Sequence, residues 1–264
     1  MKKILILGLL TILHSFLYLK ISVASTIISH KAYYDLEFLT NETTSSLESG
    51  KGKSTFFLKK KCKGWALKET FAISFDLINK KKSKNFSTFT SFEDLESKNF
   101  SFEHMDKSDL NENIFYSGFV EKKEARLEGL ILDNKNNKFY FEEKILFPTE
   151  HLKTLLKNAR NQKQFLTTKV FFGSDKDNLV KIVSAFIGKK VNTTFASKEK
   201  WIDKKVWPIQ LAFYDINQKL PNPKTIVVAH VDQNGISHYY EVNYGSYRMK
   251  GRLKKIEKIK DERC

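Results

Sequence analysis

Cysteine is almost missing from this chain: it has two, Cys62 and Cys264, and the second is the last residue. With no nearby cysteine pair and no two histidines at ligand spacing on a helix, there is no recognisable zinc centre. Proline is scarce too, at four residues, and no Pro-rich or Gly/Ser-rich stretch marks a linker. No repeat divides the chain. The Gly-x-Ser-x-Gly elbow of serine hydrolases is absent, and so is any Gly-rich phosphate loop. These gaps leave no catalytic constellation and call for no cofactor. Beyond the N-terminus no run approaches the ~18 continuous apolar residues of a spanning helix.

What is present begins with an export pattern. Met1-Lys2-Lys3 is a basic start, Ile4 to Leu19 is mostly apolar, and Ser22-Val23-Ala24 has the small-x-small form of a cleavage site. The apolar stretch contains His14 and Ser15 and falls short of the about 20 residues that a span needs. Residues 1–24 are therefore expected to be a signal peptide cut between Ala24 and Ser25, and 25–264 a single domain. No cysteine follows the apolar stretch, so lipoprotein acylation is excluded. The expected product is soluble, has no transmembrane anchor and resides in an oxidising compartment such as a bacterial periplasm.

In that compartment an even cysteine count suggests a disulfide, which would tie down the C-terminal tip. The rival is a reactive thiol, since Lys59, Lys60, Lys61 and Lys63 surround Cys62 and positive charge lowers a thiol pKa. The formal net charge is +16. Such a charge fits a periplasmic protein partner or an anionic envelope component. Export argues against nucleic acid. The joint abundance of Lys, Asn, Ile and Phe also matches AT-rich codons, so base composition accounts for much of the charge without a partner. Oligomeric state is not legible.

Alternation dominates the rest. Trp65, Leu67, Phe71, Ile73 and Phe75 hold odd positions, and Glu69 is the one break. Phe100 and Phe102, then 114–119, 125–132 and 138–141, read as further strands. The strongest hairpin joins 225–231 to 236–244 through Asp232-Gln233-Asn234-Gly235. A last strand covers 247–256, where Gly251 suggests a bulge. Lys80 to Ser87 and Asn192 to Lys200 read as polar loops, and 176–187 is either helical or extended. One helix is expected after Phe147-Pro148, with Thr149 as N-cap and Leu152, Leu155, Leu156 and Ala159 on one face. The fold class is mainly β: a large antiparallel sheet curled into a spiral or open barrel, with one or two short helices packed on it.

The remaining candidates for chemistry are weak. His230 and His238 flank the hairpin turn and would face each other across it, a poor metal site. Glu150-His151 invites an acid/base reading, but adjacent helical residues point in different directions. Gly173-Ser174-Asp175 is a turn sequence. The chain has 22 Phe, ten Tyr and three Trp, which either fill a β core or line a groove for lipid or glycan.

Taken in order, several stretches resemble the EipB family of alphaproteobacterial envelope integrity proteins. They are His30 to Leu36, Cys62-Lys63-Gly64-Trp65, Leu146-Phe147-Pro148-Thr149-Glu150-His151, Phe172-Gly173-Ser174-Asp175, Ile187-Gly188, Trp207-Pro208, Asn234-Gly235-Ile236, Tyr244-Gly245 and the terminal Cys264. The resemblance implies a periplasmic β-spiral, a Cys62–Cys264 disulfide, a role in envelope maintenance and no enzymatic activity. Phe172 departs from the family pattern, which has an acid before Gly-Ser, and the charge is more basic than expected. The leading expectation is a non-enzymatic protein acting through its surface. The alternative is a carrier that holds a lipid or other apolar ligand in the concavity of the sheet. A third is a hydrolase of envelope polymers using Glu150, Asp175 or His151.

Overall fold

A computed structural model of the protein describes residues 27–40, 47–78, 81–110, 112–124, 126–133, 135–142, 144–217 and 222–264. The expected signal peptide, with Ala24 and Ser25, lies outside them. The first eight strands are β1 (His30–Thr40), β2 (Leu47–Lys61), β3 (Gly64–Leu77), β4 (Lys82–Asp94), β5 (Asn99–Ser108), β6 (Ile114–Lys123), β7 (Arg126–Leu132) and β8 (Asn137–Phe141). Helix α1 (Pro148–Arg160) follows. Then come β9 (Phe165–Phe171), β10 (Val180–Ile187), β11 (Val191–Asn192), β12 (Lys205–Asp215), β13 (Thr225–Val231), β14 (Ser237–Asn243) and β15 (Tyr247–Lys258).

The strands form one antiparallel sheet, ordered β8-β7-β6-β5-β4-β3-β2-β1-β15-β14-β13-β12-β10-β9, with β11 attached to β12. Chain neighbours are mostly sheet neighbours, so tight turns suffice. The exception is the β1–β15 ladder, which brings the two ends of the domain together. Right-handed twist over so many strands curls the sheet. Its two ends approach without a β8–β9 ladder among the described residues. Instead the segment leaving β8 makes a parallel bridge, Leu146 with Val170 of the far edge strand.

Packing confirms the curl. On α1, Leu155, Leu156 and Ala159 are buried against Leu58 and Trp65 of β2 and β3 and against Ile187, Trp207 and Val231 of β10, β12 and β13. Strands far apart in sheet order thus meet on one helix, which lies in the concavity. A second cluster joins Phe100, Phe102, Tyr116 and Leu127 of β5–β7 to Phe147, Phe171 and Val180. A third belongs to β1, β14 and β15, through Tyr34, Leu36, Phe38, Val242 and Met249.

Several expectations need correction. In the segment expected as a loop, Lys80 to Ser87, residues 82–87 are strand: β4 begins at Lys82 and pairs with β3 as far as Asp94, while Lys80 lies outside the described residues. Its charges mislead because they sit on the outward face, while Ser83 is buried and donates to Asp109 Oδ1 at 2.7 Å. Thr149 is not the N-cap; Phe147 is, with Pro148 at the first helical position. Gly251 marks no bulge. It lies under the Tyr240 ring, which a Cβ would meet at 2.2 Å, and the irregularity falls at Tyr33/Tyr34 on β1. The undecided stretch before Ile187 contains strand β10.

Candidate functional site

The concavity is not filled. A cavity of about 800 Å³ lies between β1–β3 and β10–β15, with Leu152 of α1 and the 172–178 loop along its wall. That volume is in the range of about 300–1,000 Å³ typical of small-molecule sites. The wall is mostly apolar and aromatic, including Phe56, Phe71, Phe213, Val227, Tyr240 and Met249.

Two polar zones interrupt it. The first is a charge quartet. Lys181 Nζ lies 2.9 Å from Asp175 Oδ2 and 2.5 Å from Asp215 Oδ1, and Lys224 Nζ lies 3.1 Å from Asp215 Oδ2. Burial pushes the Asp215 carboxyl up, but bonds and charge from Lys181 and Lys224 more than offset it and hold the pKa low. Asp175 is held low by Lys181 in the same way. Two cations and two anions leave this zone neutral.

The second zone is Glu69 of β3. Alternation turns it inward, between Phe56 on β2 and Phe89 on β4. The carboxyl is enclosed by protein but still touches the cavity. Burial pushes its pKa up to about 7. Among the described residues no hydrogen bond or ion pair holds it. Tyr34, Tyr240 and Tyr244 share the wall; burial raises each hydroxyl pKa, and the charge of Glu69 raises it further. Two of these hydroxyls have partners: Tyr34 donates to Ser237 O at 2.8 Å, and Tyr240 meets Ser54 Oγ at 3.1 Å.

The 147–151 segment does different work. Phe147 is fully buried, with ring centroids 5.2 Å from Phe100 and 6.4 Å from Phe171. A phenylalanine N-cap has no side-chain acceptor, so the acceptor comes from β4. Glu93 accepts from Thr149 N at 2.7 Å, from Glu150 N at 3.0 Å and from Ser97 Oγ at 2.8 Å. This satisfies helix N–H groups that have no partner within the helix. Glu150 pairs with Lys122 at 2.7 Å, and the Lys122 ammonium lies 4.2 Å from the Phe147 ring centre. His151 is buried, its pKa lowered to about 4 by desolvation. Glu150 and His151 form no dyad, and neither lines the main cavity.

Other candidates disperse likewise. Gly173 has φ +71°, and a Cβ there would meet the Phe102 ring at 2.8 Å, so glycine is required. It presents Ser174 and Asp175 to the cavity rim. Phe172 also lines the cavity, tilted on Phe213 at 5.7 Å. His230 pairs with Tyr239 rather than His238, because the ladder shifts at Val231. His238 instead bonds Thr193 Oγ1 at 2.7 Å and Asp232 Oδ2 at 3.2 Å. Cys62 and Cys264 are joined in a disulfide with Cα atoms 5.5 Å apart. The tail is further tied by Cys62 N donating to Glu262 Oε2 at 3.0 Å. Glu69 is the residue that sequence reasoning missed as a site. Its signal was available, as the break in an otherwise apolar face.

Fold and site define a wrapped antiparallel β-sheet protein with one internal helix and an apolar cavity. The chain belongs to the EipB-like family, whose profile matches residues 22–260. It is similar to the cell envelope integrity protein EipB of Brucella abortus (strain 2308), at 24% identity over 250 residues, covering 89% of this chain and 85% of that protein. The crystal structure of a beta-barrel-like protein of a domain of unknown function, also from Brucella abortus, superposes with a TM-score of 0.81 at 22% identity. The match covers 89% of this chain and 99% of that one, and it carries the fold. No helix among the described residues is long and apolar enough to cross a membrane.

Proposed function

We propose that this protein is exported to the periplasm and supports cell envelope integrity as a non-enzymatic carrier of an apolar or amphiphilic envelope molecule. The observation that carries this reading is the cavity of about 800 Å³ inside the curl, bounded largely by aromatic and aliphatic side chains. Kinship to a relative named for envelope integrity supplies the setting. Glu150 is paired with Lys122 and Asp175 with Lys181, and His151 is buried away from the cavity that Asp175 lines, which favours binding over catalysis. The lysine-rich surface and outward Phe115, Phe119 and Tyr140, each more than half exposed, favour a second reading in which the outer face docks a periplasmic partner.

The test is intact mass of protein taken from its native envelope, measured first without and then with denaturant. A bound species of lipid-like mass, lost on denaturation, is the expected result. A bare monomer, with no apolar molecule in a solvent extract, would overturn the carrier reading and leave the docking surface. The denatured mass also checks the start at Ser25, since an uncut chain is heavier by residues 1–24.

A further inference from the structure

An apolar ligand alone needs no carboxyl in the wall. An unpaired charged group in an apolar surface is costly, and such groups ordinarily shift to the neutral form or find a partner. Among the described residues Glu69 has no partner, whereas the other charged side chains on the cavity wall, Lys181, Lys224, Asp175 and Asp215, are paired with one another. With Glu69 ionised, the described residues of the wall carry one uncompensated negative charge, inside a chain of net charge +16. The groups nearest to that charge are aromatic: Phe56 directly across the ladder, Phe71 two positions along the same face, and the rings of Tyr34 and Tyr240, 5.2 Å apart and edge-to-face. A carboxylate among aromatic rings matches an organic ammonium, through a charge-assisted bond and through the ring faces.

We propose that Glu69 is the head-group anchor of the cavity and that the ligand is a single-chain amphiphile bearing an ammonium group. This rests on the carrier reading above and names its ligand class. A fatty acid is disfavoured, because its carboxylate would meet that of Glu69, and Lys181 and Lys224, the described lysines on the wall, are already paired.

Calorimetric titration tests it with three probes of equal chain length, each below its micellar concentration: dodecylammonium, dodecyl maltoside and dodecanoate. At pH 8 the ammonium probe is expected to bind at least about tenfold more tightly than either other, the scale of one charge-assisted contact. Glu69→Gln should abolish that preference. Equal binding of the three probes, or a preference that survives Glu69→Gln, overturns the anchor while leaving a carrier. Failure of all three probes to bind overturns both readings.

A pH series on the unaltered protein keeps the test independent of how the variant folds. The ammonium preference should fall as the pH is lowered from 8 to 5. The other titratable and charged groups facing the cavity are His30, Tyr34, Tyr240, Tyr244 and the Lys181 quartet. Burial lowers the pKa of His30 of β1 and raises those of Tyr34, Tyr240 and Tyr244, and the Lys181 quartet stays paired. A preference constant across that range counts against Glu69.

Discussion

Two glutamates face the interior from neighbouring strands, and they are treated in opposite ways. Glu93 and Glu69 lie on paired strands four ladder positions apart, about 13 Å along the strand. Glu93 is 1% exposed and accepts three hydrogen bonds, two from the first turn of α1. Glu69 accepts none among the described residues and borders open space. Burial raises the pKa of both, but for Glu93 the donors pull it back. A buried carboxylate with its donors in place is part of the scaffold. One without them destabilises the empty fold, and a ligand would supply what is missing.

The largest expected effect tests what holds both residues in place. The disulfide closes a span of 202 residues and clamps the β2–β3 turn, from which β3 carries Glu69. Cys62→Ser should cost about 5 kcal/mol on the chain-entropy account. Denaturant melts of the variant and of the reduced parent should agree. A variant as stable as the oxidised parent would mean that the tail is held without the bond.

Glu93→Ala comes next. It strands two helix N–H groups in a buried setting, and the expected loss is about 3 kcal/mol. Hydrogen exchange should localise the loosening to the start of α1. The Phe147–Phe171 cluster that rests on that turn should loosen with it.

Glu69→Gln should act with the opposite sign. The folded pKa of about 7 lies above the ordinary 4.5, so the folded state holds its proton over that interval while the unfolded state releases it. Wild-type stability therefore falls as pH rises from about 4.5 through 7. At about pH 8 the glutamine variant should be the more stable, by about 2 kcal/mol after allowance for contact with the cavity. Near pH 4 the two should melt together. A variant destabilised at both pH values would place Glu69 with Glu93 as scaffold and end the contrast.

The contrast was half legible in the sequence. Alternation along 65–75 indicated a strand and flagged Glu69 as its exception, because a period of two is a local property. Glu93 gave no such signal. Its role depends on α1 arriving from 56 residues away, which no local pattern encodes. The same blindness moved the N-cap: Thr149 is a good capping residue by type, but Pro148 at the first helical position and the carboxylate from β4 set the start at Phe147. Lys80 to Ser87 read as a loop because lysines suit loops and outward strand faces alike. The aromatic content raised a ligand-holding concavity as an alternative, but not its walls, since they enclose volume left between clusters that no single segment defines.

The smallest effect asks whether Glu93 alone caps the helix. Glu150 reaches back to Phe147 N at 3.4 Å and pairs with Lys122, whose side chain is 22% exposed. Both contacts favour the helix start, one by hydrogen bonding and one by placing negative charge near the positive end of the dipole. Glu150→Gln keeps a weaker acceptor and loses the charge, while Glu93 still holds the backbone N–H groups of residues 149 and 150. The loss should be about 0.5–1 kcal/mol and should shrink in high salt, as a half-exposed pair does. Combined with Glu93→Ala, it should cost more than the sum of the two single changes, because Glu150 then provides the last acceptor at that end. Strict additivity would mean that the two acids serve the helix independently.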